Sequence, residues 1–291
     1  MEFGYVAPNY GGRIRPSELF EIAELCEELG FDSVWATDHI IMPKDLKDPY
    51  GEVLEPFVTL ASIGARTEKL KLGTSIVVLP QRNPILLAKQ AATLDNFSNG
   101  RVILGLGAGW AQGEFANLGA SFVDRGRVYD ESLRLIEALW GENPVSFAGK
   151  YFNLAESIFL PKPVHGRIPV WIGGTSAAAV GRAIRLGDGW HPVGLGLKDF
   201  SDGAQRIKSS GRNITISLRI AVDMRTRDTG AEAGGERRAI LSGTREEILS
   251  QLHAYEEAGL DYLCASILHP ATEDIKADIR KFSSEVMASF S

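Results

Sequence analysis

The stretch LKLGTSIVVLPQRNPILLAKQAATLDNFSNGRVILGLGAGW, residues 70–110, contains one complete strand–helix–strand unit. Residues 70–79 and 101–109 are apolar runs rich in β-branched side chains, which is typical of strands buried on both faces. Between them, Pro84 begins an apolar pattern of helical period that continues to residue 97. A helix that joins two buried strands in this way predicts a parallel sheet with crossover connections.

The same alternation extends along the chain in both directions. We predict eight strands, at residues 2–8, 33–40, 70–79, 101–109, 169–174, 189–194, 215–224 and 261–268. Helices are predicted at 16–29, 55–66, 84–97, 124–140, 176–186 and 244–258, with a shorter one after residue 194 and an amphipathic one at the end. Eight such units favour an α/β fold of the closed (β/α)8 TIM-barrel type, as a single domain over residues 1–291.

Two segments interrupt this pattern. NPVSFAGKYFNL, residues 143–154, has two short alternating runs on either side of Ala148 and Gly149, which predicts a small hairpin inserted before the fifth strand. Residues 225–238 are rich in Gly, Glu and Arg, so we predict an exposed, mobile loop there.

The composition restricts the class of protein. Hydrophobic residues make up 44% and charged residues 23% of the 291 residues, as in a globular protein with a sizeable core. The formal net charge is −6 and no long Lys/Arg block is present, which argues against nucleic acid as a partner. No apolar run has the length of a membrane helix and the first residues lack a secretory signal pattern, so we expect a cytoplasmic protein without a membrane partner.

Cysteine and histidine give no indication of a metal site. Cys26 and Cys264 are isolated in apolar segments, and we expect both to be reduced core residues. The five histidines are scattered, without an HExxH or HxH pair, so no metal is predicted.

Polar residues and glycines gather where the predicted strands end. In a (β/α)8 barrel, the carboxyl ends of the strands and the loops after them form the ligand site. We therefore expect one ligand to be surrounded by residues of four strand ends: Thr37, Asp38 and His39 after the second, Thr74 and Ser75 in the third, Gly107 and Gly109 after the fourth, and Gly173 and Gly174 after the fifth.

Asp38 and His39 place a carboxylate beside an imidazole, a pairing that can orient and tune a proton-transfer group. Three consecutive polar side chains are costly to desolvate for stability alone, which favours a functional interpretation. The alternative is a structural network in which Asp38 caps a loop. Thr74 and Ser75 also have an alternative, as ordinary residues of a barrel layer.

Glycines also follow the fourth and fifth strands. In IGGTSAAAVGRA, residues 172–183, Thr175 and Ser176 begin a helix whose unpaired N–H groups can bind phosphate, although a simple N-cap is the alternative. GLGAGW, residues 105–110, does not fit the dinucleotide fingerprint GxGxxG, but its glycines allow a flat ligand to approach the backbone.

Taken together, these stretches resemble the luciferase-like monooxygenase superfamily, and most closely its branch of coenzyme F420-dependent oxidoreductases. The resemblance covers nearly the whole chain. It rests on TDHI (37–40), the stretch 72–110 quoted above, EFANLG (114–119), DRGRVYDESLRLIEALW (124–140), PVWIGGTSAAA (169–179) and GTREEILSQLHAYEEAGLDYL (243–263).

The resemblance implies a (β/α)8 barrel that holds a deazaflavin in its mouth and transfers a hydride between the ring and a small organic substrate. FMN is the alternative cofactor, with reduced flavin and oxygen in a monooxygenase reaction. A second alternative is a carrier that binds the deazaflavin without turnover. Relatives commonly form dimers, and we expect a homodimer here.

The resemblance also assigns roles to individual residues. It implies a non-proline cis peptide between Ser75 and Ile76, a bulge of the third strand behind the ring, and a catalytic acid or base at His39. The remaining residues would bind the cofactor: Asp38 and Thr74 at the ring, the backbone of Gly107, Ala108 and Gly109 beside its chain, and Gly173, Gly174, Thr175 and Ser176 at its phosphate.

One position departs from the resemblance. Relatives that oxidise a sugar phosphate have a glutamate after the Gly-x-Gly of the fourth strand, where this chain has Trp110. An indole can shape an apolar pocket but cannot relay a proton as a carboxylate does, which argues against sugar-phosphate oxidation. We predict that Trp110 and His191 line the substrate pocket, and the alternative for Trp190 and His191 is a core indole with a surface imidazole.

Overall fold

The computed structural model describes residues 1–12, 15–226, 231–233, 236–267, 269 and 271–290, with backbone alone for 231–233, 236 and 237. The strands are β1 (Glu2–Val6), β2 (Ser33–Ala36), β3 (Lys71–Thr74), β4 (Val77–Val78), β5 (Val102–Gly107), β6 (Val145–Ala148), β7 (Asn153–Ser157), β8 (Val170–Gly173), β9 (Gly189–His191), β10 (Thr215–Asp223), β11 (Ala231–Ala233), β12 (Glu236–Arg238), β13 (Ile240–Ser242) and β14 (Tyr262–Ser266).

The helices are α1 (Pro16–Glu28), α2 (Lys47–Tyr50), α3 (Pro56–Gly64), α4 (Pro84–Phe97), α5 (Gln112–Asn117), α6 (Arg125–Trp140), α7 (Ala177–Leu186), α8 (Leu197–Ser209), α9 (Arg245–Ala258) and α10 (Thr272–Glu285). Three 3-10 turns lie at Lys44–Leu46, Leu79–Gln81 and Met287–Ser289. Among the described helices, none is both long and apolar enough to cross a membrane.

Parallel strands close into a barrel in the described part of the chain. The order around it is β10, β14, β1, β2, β3, β5, β8 and β9, and β9 pairs with β10 to complete the circle, with Trp190 opposite Ile216. All eight predicted strand positions are found, and the predicted (β/α)8 barrel is confirmed.

The third predicted strand is divided. The predicted run 70–79 forms β3 and β4, and the Ser75–Ile76 peptide between them is cis, as the resemblance implied. After this break β4 pairs with β5, Val77 lying opposite Leu106. The third strand position therefore carries a bulge at the carboxyl end of the barrel.

Three other segments bear on the sequence predictions. The prediction that the helix after β9 is shorter than the preceding helix is wrong, because α8 has 13 residues and α7 has 10. Between α6 and β8, the strands β6 and β7 pair antiparallel. Part of the predicted loop 225–238 forms the antiparallel pair β11 and β12, whereas residues 227–230 and 234–235 lie outside the described residues.

Helix α4 shows how local sequence sets these elements. The Asn83 side chain accepts hydrogen bonds from two N–H groups of the first turn, and Pro84 occupies the first helical position, where its missing N–H costs nothing. Leu87, Ala91 and Leu94 recur at helical spacing and are buried against the barrel. The helix therefore begins and faces the sheet as its sequence dictates.

Two indoles fill the interior of the barrel. Trp35 of β2 is fully buried, and its ring centroid lies 5.0 Å from that of Trp171 of β8. The Trp35 Nε1–H donates to Ser33 Oγ, so its polar atom is satisfied. A Cβ atom at Gly73 would overlap the Trp35 ring, and one at Gly189 would crowd Trp171, so glycines on neighbouring strands make room for the indoles.

We expect Gly73→Ala to lower the free energy of unfolding by about 2–3 kcal/mol, because Trp35 is packed on all sides and cannot move away. The matched control is Gly181→Ala in α7, where the nearest atom lies 3.4 Å from the added Cβ and the helix gains up to about 1 kcal/mol. Urea unfolding of both variants measures the difference. Equal stability of Gly73→Ala and the wild type would show that the barrel interior relaxes freely.

Candidate functional site

A cavity of about 380 Å³ opens at the carboxyl ends of the strands. Its wall comes from the loop after β2, the bulge between β3 and β4, the loop after β5, the start of α7, strand β10 and Arg238 at the end of β12. Of the predicted site residues, those in this wall are Asp38, His39, Ser75, Ile76, Ala108, Gly109, Trp110, Gly173, Gly174, Thr175 and Ser176. Thr74, Gly107 and His191 are buried behind it.

A second cavity, of about 690 Å³, lies at the other end of the barrel. Met1, Asn213 and Leu260 line it, and these residues precede strands β1, β10 and β14. The amino ends of barrel strands carry stability, whereas ligand chemistry belongs to the carboxyl ends. We therefore take the smaller cavity as the functional site.

His39 is paired with an acid that the sequence analysis did not identify. Its Nδ1 lies 3.0 Å from Oε2 of Glu114, at the start of α5, and both side chains are almost fully buried. The backbone N–H of Ile40 and the side-chain amide of Gln81 also donate to this carboxylate. The acid beside the imidazole in space is thus Glu114, 75 residues away in sequence.

Asp38 has a different task from the one its position beside His39 suggests. Its carboxylate accepts two hydrogen bonds from the Arg82 guanidinium, the shorter of 2.6 Å, and one from the Val78 N–H. The pair ties the end of β2 to the segment after β4. The structural alternative for Asp38 therefore has direct geometric support, although the residue also borders the cavity.

The protonation of the His39–Glu114 pair follows from its donors. Burial alone would raise the pKa of the Glu114 carboxyl, but the hydrogen bonds from His39, Ile40 and Gln81 outweigh it and lower the pKa below its ordinary value. An ionised carboxylate only accepts hydrogen bonds, so Nδ1 of His39 must carry the proton. The other ring nitrogen, Nε2, forms no hydrogen bond within the described residues and remains available at the cavity.

The bulge explains two of the predicted glycines. A Cβ atom at Gly107 or Gly173 would overlap the side chain of Ile76, which lies against both strands β5 and β8. Gly107 was predicted to let a flat ligand approach the backbone, and Gly173 to bind a phosphate. The structure shows that both glycines also accommodate the isoleucine of the bulge, which itself faces the cavity.

His191 lies beneath the cavity floor. It was predicted either to line the pocket or to be at the surface, but it is fully buried and stacks on Trp35 with 4.9 Å between ring centroids. Ser217 Oγ donates to the Trp190 carbonyl, so it accepts from Nδ1–H of His191 at 2.7 Å. Nε2 then accepts from the Ser75 hydroxyl at 2.9 Å.

This network holds the bulge in place with a neutral imidazole. Burial, and to a smaller extent the charge of Arg219, lower the pKa of His191 to about 3. Thr74 is equally remote from the cavity, since its hydroxyl donates to the Gly105 carbonyl. His191 and Thr74 therefore support the site rather than contact a ligand.

Aromatic rings surround His39. Its ring lies 4.6 Å from that of Tyr50 and 5.7 Å from that of Trp110, the latter edge to face. Arg238 donates to the Tyr50 hydroxyl at 3.1 Å, so the end of β12 and the end of α2 meet at the cavity. Trp110 lies in the cavity wall, as predicted for a pocket residue.

The opposite side of the cavity suits an anion. Thr175 and Ser176 are exposed at the start of α7, and the Ser176 hydroxyl caps the helix by accepting from the Ala179 N–H. Arg125 of α6 and Arg182 of α7 itself line the same side. Helix N–H groups and guanidinium groups together favour a phosphate.

Sequence analysis missed three residues that line the cavity and one, Glu114, that acts on it only through His39. Glu114, Arg125, Arg219 and Tyr50 lie outside the strand-end motifs, and no local pattern marks them. Glu114 was within EFANLG, where an acid at the start of a helix after GLGAGW could have indicated a partner for a strand-end side chain.

Fold and site define a (β/α)8 barrel with a cavity at the carboxyl ends of its strands, one side of which carries arginine side chains and the start of a helix. The model of the luciferase-like monooxygenase family matches residues 1–234. The chain belongs to this family.

Individual relatives are similar over most of the chain. The F420-dependent glucose-6-phosphate dehydrogenase of Amycolatopsis mediterranei is 26% identical over 99% of this chain and 98% of its own length. The protein of the same name from Kineococcus radiotolerans is 30% identical over 77% of this chain and 68% of its own. The crystal structure of monooxygenase RslO1 from Streptomyces bottropensis superposes with a TM-score of 0.83 over both full chains at 22% identity, a likeness of fold.

The buried imidazole predicts a pH dependence of stability. Unfolded histidine has a pKa of about 6.5, so between this value and about 3 the unfolded chain binds one more proton at His191 than the folded chain. The free energy of unfolding should fall as the pH falls from 6.5 to 5, with a contribution from His191 that approaches about 1.4 kcal/mol per pH unit.

Urea unfolding at several pH values should show a shallower slope for His191→Gln than for the wild type. His253→Gln is the control, because the His253 side chain is exposed and lies outside the buried network of His191. If His191→Gln kept the full wild-type slope, a different group would be responsible.

Proposed function

We propose that this protein is a coenzyme F420-dependent oxidoreductase that transfers a hydride between the deazaflavin ring and a small organic substrate. The observation that carries the proposal is the layout of one cavity. It joins an anion-binding side, at Arg125, Thr175 and Ser176, to the bulge at Ser75 and Ile76, with His39 at its edge. The relatives named F420-dependent glucose-6-phosphate dehydrogenases support the choice of coenzyme.

The residues present fit this coenzyme, which combines a flat ring with a phosphate-bearing acidic chain. Arg125 lines the cavity, and within the described residues it forms no ion pair; its guanidinium lies 3.9 Å from the Phe122 ring centroid and donates to the Phe122 carbonyl. Such a cation is free to meet a phosphate. Arg182 instead forms an ion pair with Asp130, at 2.5 Å, and contributes positive charge to the cavity wall.

The bulge would support the flat ring. The Ile76 side chain presents an apolar surface to the cavity and is fixed by its contacts at Gly107 and Gly173. Ser75 is held by His191 and by Arg219, which donates to its carbonyl at 2.5 Å. When bound, the deazaflavin supplies the hydride acceptor or donor.

His39 is the residue we propose for proton transfer. Glu114 fixes the proton on Nδ1, which leaves Nε2 to take a proton from a substrate hydroxyl or to return it. Tyr50 and Trp110 confine the substrate beside this nitrogen and exclude water by their bulk. Glu114 does not line the cavity, so it acts as a positioning residue through His39.

The proposal also covers the domain organisation, the oligomeric state and the class of substrate. We propose one catalytic barrel domain over residues 1–291, acting as a cytoplasmic homodimer on a small-molecule substrate. Because Trp110 occupies the place of the glutamate of sugar-phosphate-oxidising relatives, we propose a substrate other than a sugar phosphate. The experiments below distinguish this proposal from its two alternatives, which are FMN binding and storage of the deazaflavin without turnover.

Titration of the purified protein with coenzyme F420 and with FMN tests the choice of cofactor. We expect F420 to bind at least about tenfold more tightly than FMN, and Arg125→Gln to weaken F420 binding about tenfold through loss of a phosphate contact. Fluorescence of the coenzyme measures both. Arg66→Gln is the charge-matched control, since Arg66 follows α3, pairs with Glu24 and lies outside the cavity. Preference for FMN would contradict the proposal.

Substitution of His39 tests the proton-transfer role. A panel of alcohols, ketones and enones is screened for oxidation or reduction of the coenzyme, and His39→Ala should then slow the reaction about 100-fold or more. The dissociation constant for F420 should stay within about threefold. Glu114→Gln should slow the reaction less, and ¹⁵N chemical shifts of His39 should reveal a second tautomer. A chain that binds F420 but turns over nothing in the panel would be a carrier.

A further inference from the structure

Arg219 is a buried cation with no acidic partner among the side chains that the structure describes. It lies on β10, is 6% exposed and borders the cavity. Its guanidinium donates to the Ser75 carbonyl, to Thr37 Oγ1 at 3.0 Å and to the Tyr10 hydroxyl at 3.3 Å, all of which are neutral. No aspartate or glutamate of the described chain forms an ion pair with it.

Two other arginines that are similarly enclosed, Arg182 in the cavity wall and Arg82 outside it, are neutralised within the protein. Arg82 pairs with Asp38, and Arg182 pairs with Asp130. A guanidinium keeps its charge in proteins, and a buried charge without a counter-charge destabilises the fold. Since no carboxylate of the described side chains pairs with Arg219, its charge is open to a negatively charged group of a ligand in the cavity.

The unused donors of Arg219 lie on one edge of the guanidinium. Nη1 is occupied by the Thr37 and Ser75 oxygens, and Nη2 makes a single bond to Tyr10. Nε and the second hydrogen of Nη2 form no hydrogen bond with the described residues. Two adjacent N–H groups of this kind match the two oxygens of a carboxylate in a bidentate pair.

A chain of contacts leads from this edge to His39. The Tyr10 hydroxyl accepts the Arg219 hydrogen bond. The centroid of the Tyr10 ring lies 5.5 Å from that of Tyr50, and the Tyr50 centroid lies 4.6 Å from that of His39. Arg238, bonded to the Tyr50 hydroxyl, adds positive charge to the same side. The side of the cavity proposed for the phosphate, at Arg125 of α6 and the start of α7, is formed by other elements than those that carry Arg219 and His39.

We propose that the substrate is a small organic acid whose carboxylate is bound by Arg219, with its reacting carbon beside His39. The proposal rests on the proposed function, which supplies the coenzyme and the proton-transfer role. It adds the chemical class of the substrate and a residue that selects it. Arg219 acts in substrate binding and orientation.

Calorimetric titration with three simple probes tests this selection in the wild type, with and without F420. We expect benzoate to bind at least about tenfold more tightly than its neutral isostere benzamide, because only benzoate completes the charge pair. Equal binding of the two probes would overturn the proposal, as would binding of phenyl phosphate but not of benzoate. Benzoate binding without F420 binding would refute the proposed function and leave the carboxylate subsite standing.

Variants assign the effect to the residue. Arg219→Gln should weaken benzoate binding about tenfold or more and leave benzamide binding unchanged, whereas Arg219→Lys should recover part of the affinity. Arg66→Gln controls for net charge, and thermal unfolding verifies that each variant is folded. The negative charge could instead come from the reduced deazaflavin. Arg219→Gln would then weaken only the reduced coenzyme and spare benzoate, which would overturn the assignment.

Discussion

The packing of Trp35 inside the barrel is the constraint on which the site depends. Its indole fills the interior next to Trp171, and the imidazole of His191 stacks on it from the side of the cavity. The position of His191 fixes Ser75 through a hydrogen bond, and Ser75 begins the bulge that forms the cavity floor. A rigid hydrophobic plug thus determines where a ligand can lie.

The two acids near His39 have separate tasks. Asp38 secures the loop after β2 by its ion pair with Arg82, and Glu114 secures the imidazole. Both carboxylates are buried and each is satisfied by several donors, so neither needs a ligand for stability. Arg219 is the contrasting case, since its charge has no acidic counterpart in the described chain.

Much of this molecule could be predicted from its sequence, for definite physical reasons. Hydrophobic period and terminal signals such as Asn83–Pro84 identified the strands and helices, because these features are local. The polar residues at the strand ends are also local features, so Ser75 and Thr175 are predicted to lie at one cavity, whereas Ile76 is predicted only from the family resemblance. In a (β/α)8 barrel the carboxyl ends of all strands lie at the same face, so residues at different strand ends are close in space although they are distant in sequence.

The errors have the opposite cause. Asp38 and His39 are adjacent in sequence, but successive residues point in different directions, and their partners come from α5 and the segment after β4. Whether His191 faces the cavity or the interior depends on the packing of Trp35, which no local pattern reveals. Side-chain partners contributed by distant elements are therefore the part of a site that sequence reasoning alone does not reach.

The filled interior of the barrel also restricts how molecules can reach the cavity. Because indoles occupy the space between the cavities at the two ends of the barrel, molecules cannot pass from one end to the other. A ligand of the cavity at the carboxyl ends of the strands must therefore enter and leave at that end of the barrel.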